Sequence, residues 1–450
     1  MKESAIWIVA GAVVAALAGL IGFGAGGPMV LVIAPLMLVA VTGVGRMIST
    51  SYDGKWLPTV IAVGFIAKLA GAGARYYFIR FFYAGGDALR YYRVGIDLAH
   101  QWRAGSPPAL SGDGSLGTQV LEAVTGFVFA PFTPDLLGGF FLFAALSFLG
   151  QVMMYTAFRR SARPHQLKPF ALLIFLLPTF AFWPSSIGKD AVVLFGLGVA
   201  TYAVARLLEA YQIRWLGPLA VALAGVAFIR IHISALLVGS LLAAAVIAKT
   251  PSDRSGASIG FRRVLVTGSL VAISLVSLAT LEDRFSTDLT SAQDVDSFSE
   301  EIVRRTSSGT SVAGAPARGP EDIPKAVLLV IYRPFLWEAR QPQIMFAALE
   351  TAFFLGLTLW KLPAMVRNRR LWRRSPFVVF STVYLIAFSV AFSVIRNLGI
   401  IARQRSQVIG SLLVIVIGLG WEQKTKRQRR KTSYLPVQPD ADDRSIPLVV

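Results

Sequence analysis

Residues 215–248 read W-L-G-P-L-A-V-A-L-A-G-V-A-F-I-R-I-H-I-S-A-L-L-V-G-S-L-L-A-A-A-V-I-A, and Arg230 and His232 are the stretch's only ionisable side chains. A run this apolar is read as membrane-embedded, and an arginine within it is costly if it faces lipid. The sequence therefore predicts two short spans, 215–230 and 232–248, meeting at Arg230-Ile231-His232, with the triplet turned toward protein, water or ligand.

The same pattern repeats outward from this stretch. The chain is 55% hydrophobic and 15% charged, with a mean hydropathy of +0.61, whereas a soluble domain carries about 25% charged residues. A bilayer core of ~30 Å needs about 20 apolar residues per helix. On that criterion the expectation is an all-α polytopic membrane protein of about 12 transmembrane helices. The candidate spans are 5–23, 28–45, 57–80, 136–158, 169–184, 190–208, 215–230, 232–248, 263–281, 343–361, 377–395 and 406–421. Lys2 precedes the first run with no small-residue cleavage site after it, which reads as an anchor and not as a cleaved signal. Residues 1–423 form one transmembrane domain, and 424–450 read as a basic, disordered cytoplasmic tail.

The net charge of +19 is explained by topology. Loop 159–168 carries Arg159, Arg160, Arg163 and Lys168. Loop 361–376 carries Lys361, Arg367, Arg369, Arg370, Arg373 and Arg374, and the tail opens with a further basic run. The positive-inside rule puts all three in the cytoplasm with both termini, so no nucleic-acid partner is needed to account for the charge. The segments 83–135 and 282–341 then become large outer loops. The first carries amphipathic helices at the membrane surface, with 116–133 its most apolar part. The second is polar up to Asp322 and apolar and aromatic from Ile323 to Gln341.

With this orientation the unusual polar residues gather on the outer side. Asp87 lies in G-G-D-A-L-R-Y-Y-R-V-G (85–95), four residues before Tyr91, so the two share a helix face. Asp87 could serve as a general base or bind a cation; after Gly85-Gly86 it could equally cap a helix. Lys189 and Asp190 open a span after W-P-S-S-I-G; the aspartate suits the helix dipole and the lysine does not, which suggests an anionic partner for Lys189. Arg230 could hold a phosphate through two parallel hydrogen bonds, and His232 could protonate or bind an oxyanion. Arg333 and Arg340 lie in Y-R-P-F-L-W-E-A-R, where membrane anchoring and ligand contact are both open. Arg403 and Arg405 are two residues apart, so on a regular helix they point in different directions, and Arg403 is favoured for a site. Lys68 and Glu350 lie deeper and are expected to pair across helices.

The absence of cysteine excludes disulfides, thiolate nucleophiles and Cys-ligated metals. No phosphate loop, H-E-x-x-H, G-x-S-x-G or strand-borne G-x-G-x-x-G occurs. A zinc hydrolase or an ATP-driven pump within this chain alone is therefore not expected.

Taken together, G-D-A-L-R-Y-Y, F-W-P-S-S-I-G-K-D, I-R-I-H, Y-R-P-F-L-W-E with A-L-E, and A-R-Q-R resemble bacterial polytopic glycosyltransferases of the GT-C class and the related O-antigen and exopolysaccharide polymerases. The resemblance covers most of residues 75–410 and rests on the order and sidedness of short motifs. It implies a polyprenyl-linked sugar donor bound at the outer leaflet of a bacterial-type plasma (inner) membrane and a glycan or lipid acceptor, with membrane lipids as surroundings. It also implies arginines on the phosphate and an acidic base in the first outer loop. The paired D-D or D-E of many GT-C loops is missing at Asp87. On this reading Asp87 and His232 are catalytic candidates, and Tyr91, Lys189, Asp190, Arg230, Arg333, Arg340, Arg403 and Arg405 are substrate- or phosphate-binding candidates. No cofactor is fixed by the residues, and dependence on a divalent metal is left open. A flippase or exporter of lipid-linked oligosaccharide is the competing class, although no internal repeat points to one.

Overall fold

The computed structural model describes residues 29–50, 56–82, 86–106, 115–131, 135–210, 212–248, 268, 319–395 and 397–421. The expected spans 5–23 and 263–281, the N-terminal anchor, most of the polar segment before Asp322, Arg396 and the 424–450 tail lie outside these residues. Within them the regular elements are all helices: α1 (Met29–Ile48), α2 (Trp56–Tyr77), α3 (Asp87–Arg103), α4 (Leu116–Phe129), α5 (Leu136–Ser161), α6 (Pro164–Leu176), α7 (Pro178–Phe182), α8 (Lys189–Ala210), α9 (Leu216–Ile247), α10 (Ile323–Ile331), α11 (Pro342–Arg367), α12 (Arg369–Trp372), α13 (Pro376–Phe392), α14 (Leu398–Gln404) and α15 (Ile409–Gly420).

Among the described residues five helical elements are long and apolar enough to cross a membrane: Trp56–Phe82, Leu136–Ser161, Lys189–Leu208, Ile344–Arg367 and, only when both sides of its break at Arg230 are counted together, Leu216–Ile247. A sixth is gained if α14 and α15, bent by 59° at their break, count as one span. This is fewer than the sequence predicts, partly because two expected spans lie outside the described residues. Of the rest, the runs at 28–45 and 377–395 form shorter apolar helices, and other runs form broken elements.

The bundle is built on α5 and α8, which run parallel. Gly139 of α5 sits against Ile187 just before α8, and Gly150 sits against Leu194, Phe195 and Gly198. Two parallel neighbours require the chain between them to travel back, so α6 and α7 together make a return crossing. That crossing is interrupted at Leu177–Pro178, where proline cannot continue the hydrogen-bond ladder.

α9 is folded as well. Arg230 has φ −146° and ψ 82°, outside the helical region, and the Ser234 hydroxyl donates to the carbonyl of Leu223 at 3.0 Å. In a straight helix eleven residues rise about 16 Å, so a hydrogen bond between these two places the half before Arg230 back against the half after it. The single apolar run is a hairpin with Arg230 at its apex, and each half falls short of the roughly 20 residues of a full span.

α3 and α4 pack on each other through Gly95 against Thr125 and Gly126 against Leu98. α4 is about 21 Å long, short of a bilayer core of ~30 Å. Its N-terminal Gly117 rests on the carbonyls of Phe228 and Ile229, beside the hairpin apex.

At the far end of α5 the basic loops converge. Arg159 donates to the carbonyl of Ile48 at 2.5 Å, and His165 bonds the carbonyl of Trp421 at 3.0 Å. Asn368 donates to Leu419 at 2.9 Å, and the Lys361 ammonium lies 3.6 and 3.9 Å from the ring centroids of Trp360 and Trp421. The length of α5, about 39 Å at 1.5 Å per residue, separates this basic end from the end where α8 begins.

The α5–α8 seam depends on missing side chains. A Cβ on Gly198 would lie 2.3 Å from the carbonyl oxygen of Gly150, whereas one on Gly225 meets nothing within 4 Å. Gly198→Ala is expected to destabilise the protein by about 1–3 kcal/mol through overpacking against backbone. Gly225→Ala should be neutral or stabilising because alanine is the better helix former. Unfolding of both variants in detergent checks the contrast.

Candidate functional site

Asp190 lies in the first turn of α8, where the helix dipole favours a carboxylate, and its side chain is only 5% exposed. One carboxylate oxygen accepts from Arg230 Nη2 at 2.6 Å. The other accepts from Arg403 Nε. Arg230 is buried at the hairpin apex and also donates through Nη1 to Gln404 Oε1. A single aspartate therefore joins the start of α8, the apex of α9 and the end of α14.

The two arginines differ in access. The side chain of Arg230 is 9% exposed and that of Arg403 33%. Arg403 is the cation with an open flank. Lys189, half-buried beside it, donates to Thr118 Oγ1 at 3.1 Å and approaches Ser115 Oγ at 3.5 Å, both at the start of α4. With two arginines, one lysine and one carboxylate, this inner group is net positive.

α3 adds polar groups beside this cluster. Asp87 is its exposed first residue, following Gly86 at φ 132°, a backbone conformation that favours glycine. The Asp87 carboxylate lies near enough to act electrostatically on both Lys189 and Arg403. Tyr91, one helical turn on, is buried and hydrogen-bonded to Thr118. Burial pushes the Tyr91 phenol above its ordinary value and the Asp87 charge adds to this, against the opposing pull of Thr118 and Arg403. Tyr91 is accordingly a neutral hydroxyl at pH 7. Beside it Arg90 pairs with the buried Glu122 at 2.9 Å.

Asp87, Tyr91, Lys189, Asp190, Arg230 and Arg403 thus assemble at one end of the bundle. The other candidates have different surroundings. The exposed His232 leans on Phe392, with 5.6 Å between ring centroids, and Arg230 is its charged neighbour. Arg333 is tied to Glu338, with Nε at 2.7 and 2.9 Å from its two carboxylate oxygens, and Arg340 is exposed beyond it. Arg405 is fully buried and donates to the carbonyls of Arg333 at 2.7 Å and Ile331 at 3.4 Å. It braces the loop after α10, whereas Arg403, two residues earlier, reaches Asp190.

Lys68 and Glu350, expected to pair with each other, instead bind the same piece of backbone. Lys68 donates to the carbonyl of Phe180 at 2.6 Å, and Glu350 accepts from the amide of Thr179 at 2.8 Å. The Thr179 amide opens α7 and the Phe180 carbonyl closes it, where Pro184 has no N–H to offer, so neither peptide group has a helical partner, and that demand outweighs direct ion pairing.

Sequence reasoning missed Gln404, Ser115, Thr118 and Glu122. Gln404 stood between two arginines in A-R-Q-R, and Ser115 and Thr118 stand at a helix start, but only the fold shows what they face. Among the described residues no group of three or more His, Asp or Glu side chains is placed to hold a metal ion.

No protein-family model, curated protein or solved structure matches the chain.

Removing Asp190 would leave Arg230 buried without its counter-ion. Asp190→Ala is expected to cost about 3–5 kcal/mol of stability, the usual result of breaking a buried pair from one side. Arg403→Ala, which leaves the Asp190–Arg230 contact intact at a more exposed position, should cost clearly less. Unfolding measurements on the two variants test that order, and a reversed order would contradict the assignment of Arg230 as the buried partner.

Proposed function

We propose that this protein is a membrane glycosyltransferase or polysaccharide polymerase. On this reading it transfers a sugar or oligosaccharide from a polyprenyl-(di)phosphate donor to a glycan or lipid acceptor, at the outer face of a bacterial-type plasma membrane. The observation that carries the reading is the Asp190-centred arginine pair. It provides fixed cations, one of them partly open, where the start of α8, the apex of α9 and the end of α14 meet in an otherwise apolar bundle.

The chemistry suits such a site. Transfer breaks the bond between the anomeric carbon and the donor phosphate while the acceptor hydroxyl attacks that carbon. The departing lipid phosphate gathers negative charge, and preorganised cations in a largely water-excluded site stabilise it most strongly. Arg403 and Lys189 are the groups with access to meet it. Arg230 and Asp190 hold Arg403 in place, and Tyr91 is a neutral hydrogen-bond donor on α3. Asp87 lies near both cations and is the group to accept the acceptor's proton.

The proposed orientation puts this end outside and the Arg159–Trp421 end in the cytoplasm, following the basic loops. About twelve spans, both termini inside, and the 83–135 and 282–341 segments as outer loops complete the proposed topology.

Purified protein in liposomes supplied with a polyprenyl-linked sugar and an acceptor tests the reading. Arg403→Ala is expected to lower transfer by about two orders of magnitude, the effect of removing one charge-stabilising donor, and Asp87→Asn should impair it as well. Undiminished transfer in both variants would overturn the site. Movement of the glycolipid across the bilayer without covalent change would favour the flippase class instead.

A further inference from the structure

The hydrogen-bond chain that starts at Asp190 continues inward. Asp190 accepts from Arg230, Arg230 donates to Gln404 Oε1, and the same oxygen accepts from Gln407 Nε2 at 2.5 Å. This sequence of donors and acceptors fixes both amides. A guanidinium only donates, so Gln404 must turn its oxygen to Arg230; Gln407 must then offer its NH₂ to that oxygen. The Oε1 of Gln407 is thereby forced away from the chain, and it is buried without a hydrogen-bond partner among the described residues.

The side chain of Gln407 lines a cavity of about 20 Å³ between α5, α6, α8, α9, α13 and α15. Tyr384 lines the same cavity, and its hydroxyl is also buried without a partner among the described residues. Its ring lies between Phe380 and Phe388, with centroids 6.2 and 6.1 Å away. Ser381, Ser411 and Thr201 complete the polar part of the lining.

An empty cavity in a protein is normally apolar, whereas one with polar partners and about 10–15 Å³ or more of this kind of space holds water. We propose that this cavity is a structural water site, in which a buried water donates to Gln407 Oε1 and accepts from Tyr384 Oη as the inner terminus of the Asp190–Arg230–Gln404–Gln407 chain. The water gives both buried groups the partner they lack, and it keeps Gln407, and through it Gln404, in the orientation that Arg230 requires. The inference rests on hydrogen-bond accounting and packing and is independent of the reaction proposed above.

The sign of one substitution separates a wet site from a dry one. If the water is present, Tyr384→Phe removes one of its bonds and lowers the thermal midpoint of the detergent-solubilised protein, by about 2 °C or more. If the cavity is dry, the same change deletes an unsatisfied hydroxyl and leaves the midpoint unchanged or higher, which would overturn the proposal. A double-mutant cycle with Gln407→Leu is expected to be non-additive, because both residues share one water; additive effects would contradict a bridge. Should Gln407→Leu fail to fold, a density map that resolves ordered waters decides the matter: a peak bridging the Tyr384 and Gln407 oxygens supports the site, and a cavity without one overturns it.

Discussion

One carboxylate holding two arginines in an apolar bundle is the constraint on which the rest of the structure depends. Each of these charges would be costly alone at this depth, and Asp190 makes them tolerable by taking Arg230 on one oxygen and Arg403 on the other. Its place in the first turn of α8 adds the favourable end of the helix dipole. The arrangement fixes chain geometry as well as charge. Arg230 reaches Asp190 from the apex of a hairpin, and Arg403 reaches it from the end of α14, just before the bend into α15.

Interrupted helices expose peptide groups that lipid cannot satisfy, and the bundle meets that demand with polar side chains from neighbouring elements. Gln151 donates to Ile174 at 2.7 Å and Ser147 to Pro184 at 2.6 Å. Lys68 and Glu350 hold the α7 backbone between them, while Thr351 and Arg405 bind the carbonyls of Pro334 and Arg333 at 2.7 Å each. Irregular backbone is thereby kept inside the protein, where it can shape a site. The site itself stays net positive because one aspartate serves two arginines with a lysine alongside, and this suits an anionic ligand.

Much of this was legible in the letters of the chain. The apolar runs at 57–80, 136–158, 190–208 and 343–361 recur as the long helices α2, α5, α8 and α11, because apolar length is a property of the segment itself. Arg230-Ile231-His232 marked the meeting of two short pieces, and the backbone leaves the helical region at Arg230. The break between α14 and α15 was less visible. The turn Arg405–Gln407 contains neither proline nor glycine, and its geometry follows from bonds to residues far away in sequence. The pairing of Asp190 with Arg403 is of the same kind: the sequence singled out both residues, but their contact joins segments 213 positions apart. Lys68 and Glu350 show the limit most clearly, since charge alone suggested that they pair and the unsatisfied backbone near Pro178 claimed both.

A structure of the protein in a lipid nanodisc with polyprenyl phosphate tests the central claim most directly. The account predicts phosphate density against Arg403 and Lys189, with the Asp190–Arg230 contact intact behind them and Asp87 nearby. Phosphate bound elsewhere, with the Asp190 cluster closed to it, would contradict the account.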